Sequence, residues 1–514
     1  MASVDKRIGQ RFVVGFHGLT APDYILEWLS EGRIGGVILF ARNVESPQQV
    51  ADLTRSLHQA SETPILIGID QEGGMVARLR QAQGFTESPG AMALAASQDK
   101  LDHTKTVSRM LADEMRSLGI NWTYAPVVDL SYNAENPTVG TRSFGVDPQQ
   151  VGELAAQATQ GFQAGGVVAC AKHFPGLGNT SVDSHLDLPT LDAPLNQLMT
   201  KDLVPYQHVI DAGIASIMTT HTIYSTLDGE YPATLSSTII NELLRDYLKF
   251  DGVIVTDCLE MHAITKHYGE GESSVLGLEA GVDILLISHT QSHQETAFQA
   301  VEEAVANGRI SQSNLDEAYE RIMRIKEQFT IDSDAIDSVQ VNTEAHQVLA
   351  LDSAKSAIAL DGVLPLLAGK KIGVIEFASH KDSEVMERND RTEFALAVQK
   401  EISSAEVVTL HALHPSEEQL DHAQALAEKV DVLVVATRNA HKVSAQHQFA
   451  QTFLDVAKQS ILVALRNPYD VDVIDAEVKI STFGESVPSL QAASALLAGQ
   501  FQATGQRPAT AKVN

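Results

Sequence analysis

The chain reads VVACAKHFPGLGNTSVDSH from residue 167 to residue 185. Its first five residues are apolar and predict a buried strand over residues 167–171, and a loop with four ionisable side chains and two glycines follows at once. In this loop Asp183 stands two residues before His185, where a carboxylate can set the tautomer of the imidazole and stabilise its cation. A proton-transfer residue needs both effects near neutral pH, so the loop predicts a functional site. The alternative is a solvated surface loop with an incidental pair.

Seven further β-rich runs lie around this one in the first two thirds of the chain, at residues 12–16, 36–40, 65–69, 120–124, 214–218, 253–256 and 283–287. Helical patterns separate most of them, for example at residues 47–58, 104–118, 148–164, 195–212 and 236–248. Eight β-α alternations predict an α/β protein with a TIM-type (β/α)8 barrel that closes near residue 330, after a helix over residues 313–329. The active site of such a barrel lies at the carboxyl ends of its strands.

The pattern changes after the barrel, which we assign to residues 1–330. Residues 331–343 are largely polar and predict a linker. Residues 344–514 contain five more strand candidates, at 371–377, 406–410, 432–436, 461–465 and 478–483, separated by helical patterns. This arrangement predicts a smaller, layered α/β domain with a doubly wound sheet. No glycine-rich phosphate-binding motif stands at the start of this domain.

Composition narrows the range of partners. Lys and Arg number 37 against 66 Asp and Glu, so the formal net charge is −29, which disfavours nucleic acid and anionic membranes as partners. The sequence contains no apolar run long enough to predict a membrane span, and its N-terminal residues show no leader pattern. We therefore expect a cytoplasmic protein. Cys170 and Cys258 lie in or beside apolar strands and are expected to be reduced structural thiols.

Several motifs, in the same order, resemble those of glycoside hydrolase family 3, and within it the β-N-acetylglucosaminidases (β-hexosaminidases). The motifs are GIDQEGG at 68–74 with Arg78, APVVD at 125–129, NPTVGTRSFG at 136–145, the loop at 172–185, PATLS at 232–236 and GVIVTDCLEM at 252–261. The resemblance extends over most of residues 9–330. The second domain resembles the smaller α/β domain of the family only loosely.

The resemblance implies that Asp257 is the nucleophile and forms a covalent glycosyl intermediate. It also implies that His185 is the acid/base residue, oriented by Asp183, in place of the second carboxylate that most retaining glycosidases use. Taken without the resemblance, Asp257 has an alternative role as a turn or helix-cap residue, and His185 has one as a structural histidine. Cys258 is a departure from the family pattern, because many relatives have an acidic residue at that position.

The resemblance further implies a group of residues that hold the hydroxyls of the sugar: Asp70, Arg78, Arg142, Lys172 and His173. Charged hydrogen bonds to hydroxyls orient the ring and exclude analogues. For Arg142 and Lys172 the alternative is an ion pair at the barrel mouth. Five further residues at strand ends receive supporting or undecided roles: Asp129, Glu72 and Glu260 as supports, and His221 and His289 either as site lining or as structural residues.

The sequence therefore predicts a retaining exo-β-N-acetylglucosaminidase that removes terminal N-acetylglucosamine from peptidoglycan fragments or chito-oligosaccharides. A small carbohydrate is the expected partner, and neither a metal nor another cofactor is expected, since no His-Glu-x-x-His or paired Cys-x-x-Cys spacing is present. Two alternatives remain: a β-N-acetylglucosaminide phosphorylase, and a carbohydrate-binding protein without turnover. The aglycone, the oligomeric state and the role of the second domain stay open.

Overall fold

The computed structural model describes residues 5–180, 188–337, 340–381, 383, 386 and 393–508. Its first domain contains eight parallel strands that pair in chain order. They are β1 (Phe12–Gly15), β2 (Gly36–Leu39), β3 (Leu66–Ile69), β4 (Trp122–Thr123), β5 (Val168–Phe174), β6 (Ser216–Thr219), β7 (Val253–Val255) and β8 (Leu285–Ile287). β1 also pairs with β8, and a parallel bridge between Val255 and Ile284 joins the two remaining edges. The predicted TIM-type barrel is confirmed.

Helices cover the outside of the barrel. The longer ones are Asp23–Ser30, Pro47–Gln59, Lys100–Ser117, Pro148–Ala164, Val204–Asp211, Glu270–Ala280, Gln291–Ala306 and Gln312–Gln328, and the shorter ones are Lys6–Gly9, Ala91–Ala96, Leu195–Gln197 and His262–Thr265. Ser46 and Asp147 begin two of the long helices by accepting a hydrogen bond from the backbone N–H three residues on. A proline follows each of these caps, at the position where a missing N–H costs nothing.

Two predicted helices have a different form in the structure. The segment at 195–212 is divided into Leu195–Gln197, a π-helical stretch Leu198–Asp202, and Val204–Asp211, while Thr238–Tyr247 is π-helical throughout. Hydrophobic spacing did not reveal this, because α- and π-helices both collect apolar residues on one side over such short lengths.

The fifth strand is longer than predicted. The sequence places Lys172 and His173 in a loop after the strand, but the structure places both within β5. Pairing continues because the neighbouring segments still run alongside: the Val128 N–H donates to the Lys172 carbonyl, and the Thr220 N–H donates to the Phe174 carbonyl, each at 2.9 Å. The ladder therefore holds the backbone of both residues at the barrel mouth.

The second domain has the predicted layered α/β form. Its strands are β9 (Ala359–Asp361), β10 (Ile372–Phe377), β11 (Glu406–Leu410), β12 (Val432–Thr437), β13 (Ser460–Ala464) and β14 (Val478–Ser481), in the spatial order β9-β14-β13-β12-β10-β11. The strand β9 was not predicted; it is only three residues long and pairs antiparallel with β14. The helices are Glu344–Ala357, Phe394–Glu401, Glu417–Lys429, Ser444–Val456, Asp470–Val473 and Val487–Leu497.

The second domain contacts loops that follow β3 and β4 at the carboxyl end of the barrel. Lys442 Nζ donates to the carbonyl of Asn136 at 2.8 Å, and the Val487 N–H donates to Glu87 Oε2 at 3.0 Å. In the segment predicted as a linker, Ile336 is buried and joins the barrel core. Across the described part of the chain, no helix combines the length and the apolar character needed to cross a bilayer.

Candidate active site

A cavity of about 160 Å³ lies at the carboxyl ends of the barrel strands. The five predicted sugar-binding residues all line it: Asp70, Arg78, Arg142, Lys172 and His173. They come from the ends of three different strands, and Asp257, which also lines the cavity, follows a fourth. Parallel strands of a closed barrel all end at one rim, which is why residues far apart in the sequence meet there. The rest of the wall is largely apolar and includes Phe40, Met218, Met261 and Leu286.

A buried network of charges forms one side of the cavity. Lys172 Nζ lies 2.8 Å from Asp70 Oδ1 and 2.7 Å from Glu72 Oε1. Arg142 donates from Nε and Nη2 to the two oxygens of Glu72, at 2.9 and 2.8 Å, and Arg78 Nη2 lies 3.1 Å from Asp70 Oδ2. Three cations therefore share two carboxylates in a space with little solvent.

Asp70, Glu72, Arg142 and Lys172 are each held in the charged form. Burial by itself would raise the pKa of Asp70, but Lys172 and Arg78 outweigh burial and hold it well below its usual range. Burial likewise opposes ionisation of Glu72, yet Arg142 and Lys172 lower its pKa to about 2. The two carboxylates in turn raise the pKa values of Lys172 and Arg142 above their ordinary values, against the effect of burial. These four side chains present fixed donors and acceptors that do not change charge near neutral pH.

Both interpretations offered for Arg142 and Lys172 are compatible with this geometry. Each forms an ion pair at the barrel mouth, and each also lines the cavity. An ammonium has three donors, and the two carboxylates accept from two of them, so Lys172 retains one donor direction for a ligand. The ion pairs orient the two side chains and do not exclude contact with a sugar.

Asp129 orients His173 through a hydrogen bond. Its carboxylate is buried and accepts from His173 Nδ1 at 2.7 Å and from the Leu177 N–H at 2.6 Å. A proton on Nδ1 leaves Nε2 of His173 as the nitrogen with a free lone pair in the neutral ring. Asp129 does not line the cavity, in keeping with the supporting role that the sequence suggested.

Asp257 follows β7 and lies in the cavity wall. Its Oδ1 accepts a hydrogen bond from the Cys258 N–H at 2.7 Å, which helps to orient the carboxylate. The backbone is fixed in turn by the Leu259 N–H, which donates to the Leu286 carbonyl at 2.9 Å. The arrangement holds one carboxylate at a defined position beside the sugar-binding group.

Asp183 and His185 lie in residues 181–187, outside the described residues. The chain before them is tied to the loop after β4: Asn136 Nδ2 donates to the Leu177 carbonyl at 3.0 Å, and Asn133 Nδ2 donates to the Thr180 carbonyl at 3.1 Å. After the segment, the strand Thr190–Leu191 pairs with Ile223–Tyr224. Leu177 itself lines the cavity, so the chain that leads into the Asp183–His185 segment contacts the site.

The structure separates the two histidines whose roles were undecided. His221 is fully buried, interacts with Thr234 Oγ1 and the Cys258 carbonyl at 2.9 Å each, and does not line the cavity. His289 lines the cavity, and Glu260 accepts from the His289 and Thr290 N–H groups, so Glu260 supports the turn after β8. Both cysteines are free and buried, as expected.

Sequence reasoning missed the apolar part of the wall. Phe40, Met218 and Leu286 belong to strands or follow them directly. An apolar residue type at such a position does not show whether the side chain faces a cavity or the core. It also missed a neighbouring cavity of about 220 Å³ that shares Thr138 and Arg142 with the first one and includes Lys442 of the second domain in its lining.

Comparison with known proteins gives a consistent result. A family model described as the glycosyl hydrolase family 3 N-terminal domain matches residues 3–325. A β-hexosaminidase A from Pseudoalteromonas piscicida is 35% identical over 377 residues, which cover 68% of this chain but only 63% of that relative. A β-hexosaminidase from Thiobacillus denitrificans is 38% identical over 278 residues, which cover 53% of this chain and 76% of the relative.

Among solved structures, a glycoside hydrolase family 3 β-N-acetylglucosaminidase from a Paenibacillus strain has a TM-score of 0.92 and 33% identity, with 100% of both chains covered. A β-glucoside phosphorylase has a TM-score of 0.80 at 21% identity, covering 99% of this chain and 94% of its own. The second likeness concerns the fold alone.

Proposed function

The chain belongs to glycosyl hydrolase family 3, and we propose that it is a retaining exo-β-N-acetylglucosaminidase. The observation that carries this proposal is the cavity in which Asp257 stands beside Asp70, Arg78, Arg142, Lys172 and His173. Such a pocket, of about 160 Å³, suits one terminal sugar ring rather than the middle of a long chain. The names of the relatives support the N-acetylated sugar as the substrate class.

In the proposed reaction the buried network binds the sugar and the fixed carboxylate attacks it. Asp70 accepts hydrogen bonds from hydroxyls, while Lys172 and Arg78 donate to them. Asp257 attacks the anomeric carbon as the bond to the aglycone oxygen breaks, and a covalent glycosyl ester forms. His185, oriented by Asp183, gives a proton to the departing oxygen and then removes one from the water that hydrolyses the ester.

We further propose that the departing group extends toward the second cavity. That cavity adjoins the sugar pocket at Thr138 and Arg142, and the second domain contributes Asn439, Lys442 and Asn467 to it. Its amide and ammonium groups suit the hydroxyl, amide or carboxylate groups of a chito-oligosaccharide or a peptidoglycan fragment. The cytoplasmic location stays a prediction.

The first experiment compares chromogenic β-N-acetylglucosaminide and β-glucoside, each with and without phosphate. The proposal expects turnover of the N-acetylated sugar alone, no stimulation by phosphate, and no turnover by Asp257→Ala. Asp251→Ala, at an exposed aspartate on the amino side of β7, is the matched control and should remain active. Turnover that depends on phosphate and yields sugar 1-phosphate would instead establish the phosphorylase, and sugar binding without turnover would establish the binding protein.

A second experiment addresses the nucleophile directly. A fluorinated N-acetylglucosaminide that forms the ester quickly and loses it slowly should add one sugar mass to the peptide that contains Asp257. Labelling of another carboxylate, or retention of the label in Asp257→Ala, would contradict the assignment.

A further inference from the structure

A second group of chemically reactive side chains lies beside the same cavity, after β7 and β8. The ligand atoms of Cys258, Glu260 and His289 all lie within 4.8 Å of one another. Cys258 and His289 line the cavity together with Asp257. The reaction proposed above uses none of these three side chains.

The three side chains provide the ligand types that Zn²⁺ and Cd²⁺ prefer. A thiolate, an imidazole and a carboxylate bind such a cation at about 2.0–2.3 Å, so the ligand atoms of a tetrahedral site stand about 3.3–3.8 Å apart. The observed spread, at most 4.8 Å, requires the side chains to approach by about 1 Å, which small rotations about their side-chain bonds supply. Mg²⁺ and Ca²⁺ prefer a shell of oxygen ligands, and only one of the three residues offers oxygen.

Hydrogen bonds already orient the carboxylate. Glu260 Oε2 accepts from the His289 N–H at 2.5 Å, and Oε1 accepts from the Thr290 N–H and from His293 Nδ1, each at 3.0 Å. Two carboxylate oxygens offer about four acceptor directions, so three accepted bonds leave one direction for a cation. Such outer partners are typical of metal ligands, because they fix the orientation of the group that binds.

The other two ligands are also restrained. The ring of His289 lies 5.1 Å from the ring of Phe40, centre to centre. Cys258 is a free cysteine, and its backbone N–H donates to Asp257. Burial raises the pKa of the Cys258 thiol to about 12, so a cation that binds as the thiolate complex displaces the thiol proton to solvent.

We propose that Cys258, Glu260 and His289 form a binding site for a thiophilic divalent cation, of the Zn²⁺ or Cd²⁺ type, and that the bound cation inhibits the enzyme. Water or the Asp257 carboxylate completes the coordination. A divalent charge next to Asp257 stabilises its carboxylate and so lowers its nucleophilicity. The binding part of this proposal is independent of the reaction, whereas the inhibition part rests on the proposed function.

Cadmium ion is the sharpest probe because a Cd²⁺–thiolate bond gives an ultraviolet charge-transfer band that needs no turnover. Full-length protein titrated with Cd²⁺ should develop the band with one equivalent, and Mg²⁺ should produce nothing. Cys170→Ala is the matched control, since Cys170 is the other cysteine and is fully buried. The band should persist in Cys170→Ala, disappear in Cys258→Ala and require at least tenfold more Cd²⁺ in His289→Ala.

No band in the wild type, or a band that persists in Cys258→Ala, would overturn the site. The inhibition arm uses Zn²⁺ at the concentration that occupies the site, with chelator to restore activity. Zn²⁺ should lower kcat/KM at least tenfold in the wild type and in Cys170→Ala. If the band forms at the site without loss of turnover, the binding site stands and the inhibition is rejected. An absence of turnover under every condition would count against the proposed function alone.

Discussion

Replacing Glu72 by glutamine keeps the size of the side chain but removes the charge that Arg142 and Lys172 share. Arg142 donates two hydrogen bonds to Glu72, and Lys172 Nζ lies 2.7 Å from it. The Glu72 side chain is only 6% exposed, so solvent and salt screen these interactions weakly. The substitution leaves the buried cations with Asp70 as their one remaining carboxylate in the network.

The magnitude follows from the pKa. Arg142 and Lys172 lower the pKa of Glu72 from 4.5 to about 2, against the effect of burial. At about 1.4 kcal/mol per pKa unit, this difference corresponds to about 3 kcal/mol of folding free energy. Because the folded-state pKa is the lower one, this contribution is fully present above about pH 4.5 and is lost as the pH falls toward 2.

Unfolding in urea, followed by tryptophan fluorescence near pH 7 and near pH 3, measures the effect. Glu72→Gln should lose about 3 kcal/mol at the higher pH, and the deficit should become clearly smaller at the lower pH. Glu62→Gln is the matched control, because the Glu62 side chain is 91% exposed, and it should change stability by less than about 0.5 kcal/mol. An equal deficit at both pH values, or a loss below about 1 kcal/mol near pH 7, would refute the reasoning.

Three further predictions follow from other parts of the structure. Asp257→Ala should lower kcat by about 10³-fold or more with little change in melting temperature, as measured by steady-state kinetics beside thermal unfolding. Lys442→Ala, which removes the 2.8 Å bond to the Asn136 carbonyl, should raise KM several-fold for a chito-disaccharide and less for a chromogenic monosaccharide; equal changes would argue against contact with the departing group. Burial lowers the pKa of Lys326 to about 7 from 10.5, so the change in melting temperature on Lys326→Met should be most favourable below pH 7 and progressively less favourable as the pH rises to 10.5. The lost bond from Nζ to the Gly35 carbonyl lowers stability at every pH, so a change in melting temperature that is independent of pH would contradict the reasoning.

The barrel, and the position of its polar strand-end residues at one rim, could be predicted from the sequence for a physical reason. Short apolar runs alternating with helical periodicity require a buried parallel sheet covered by helices, and a closed parallel sheet brings every strand end to one rim. The polar residues that follow the apolar runs, such as Asp70 and Asp257, therefore had to come close together. The layered form of the second domain was predictable on the same grounds.

Strand limits and weak elements were less predictable. Lys172 and His173 are polar, so their residue types do not indicate that β5 continues through them. The strand continues because the neighbouring segments supply hydrogen-bond partners. The strand β9 is three residues long and exists because β14 is available beside it. Local propensity cannot define such elements, since their stability comes from tertiary pairing.

The sequence by itself thus determined that polar residues at the strand ends meet at one rim of the barrel, and the tertiary structure decided which of them interact and which apolar side chains complete the wall. Glu72 is 70 residues from Arg142 in the chain, yet it holds that guanidinium with two hydrogen bonds. His289 likewise meets Cys258 only because β7 and β8 are neighbours in the closed barrel. Periodicity fixes the side of an element on which a residue lies, whereas distances of 3 to 5 Å depend on the packing of whole strands and loops, which no short stretch of sequence contains.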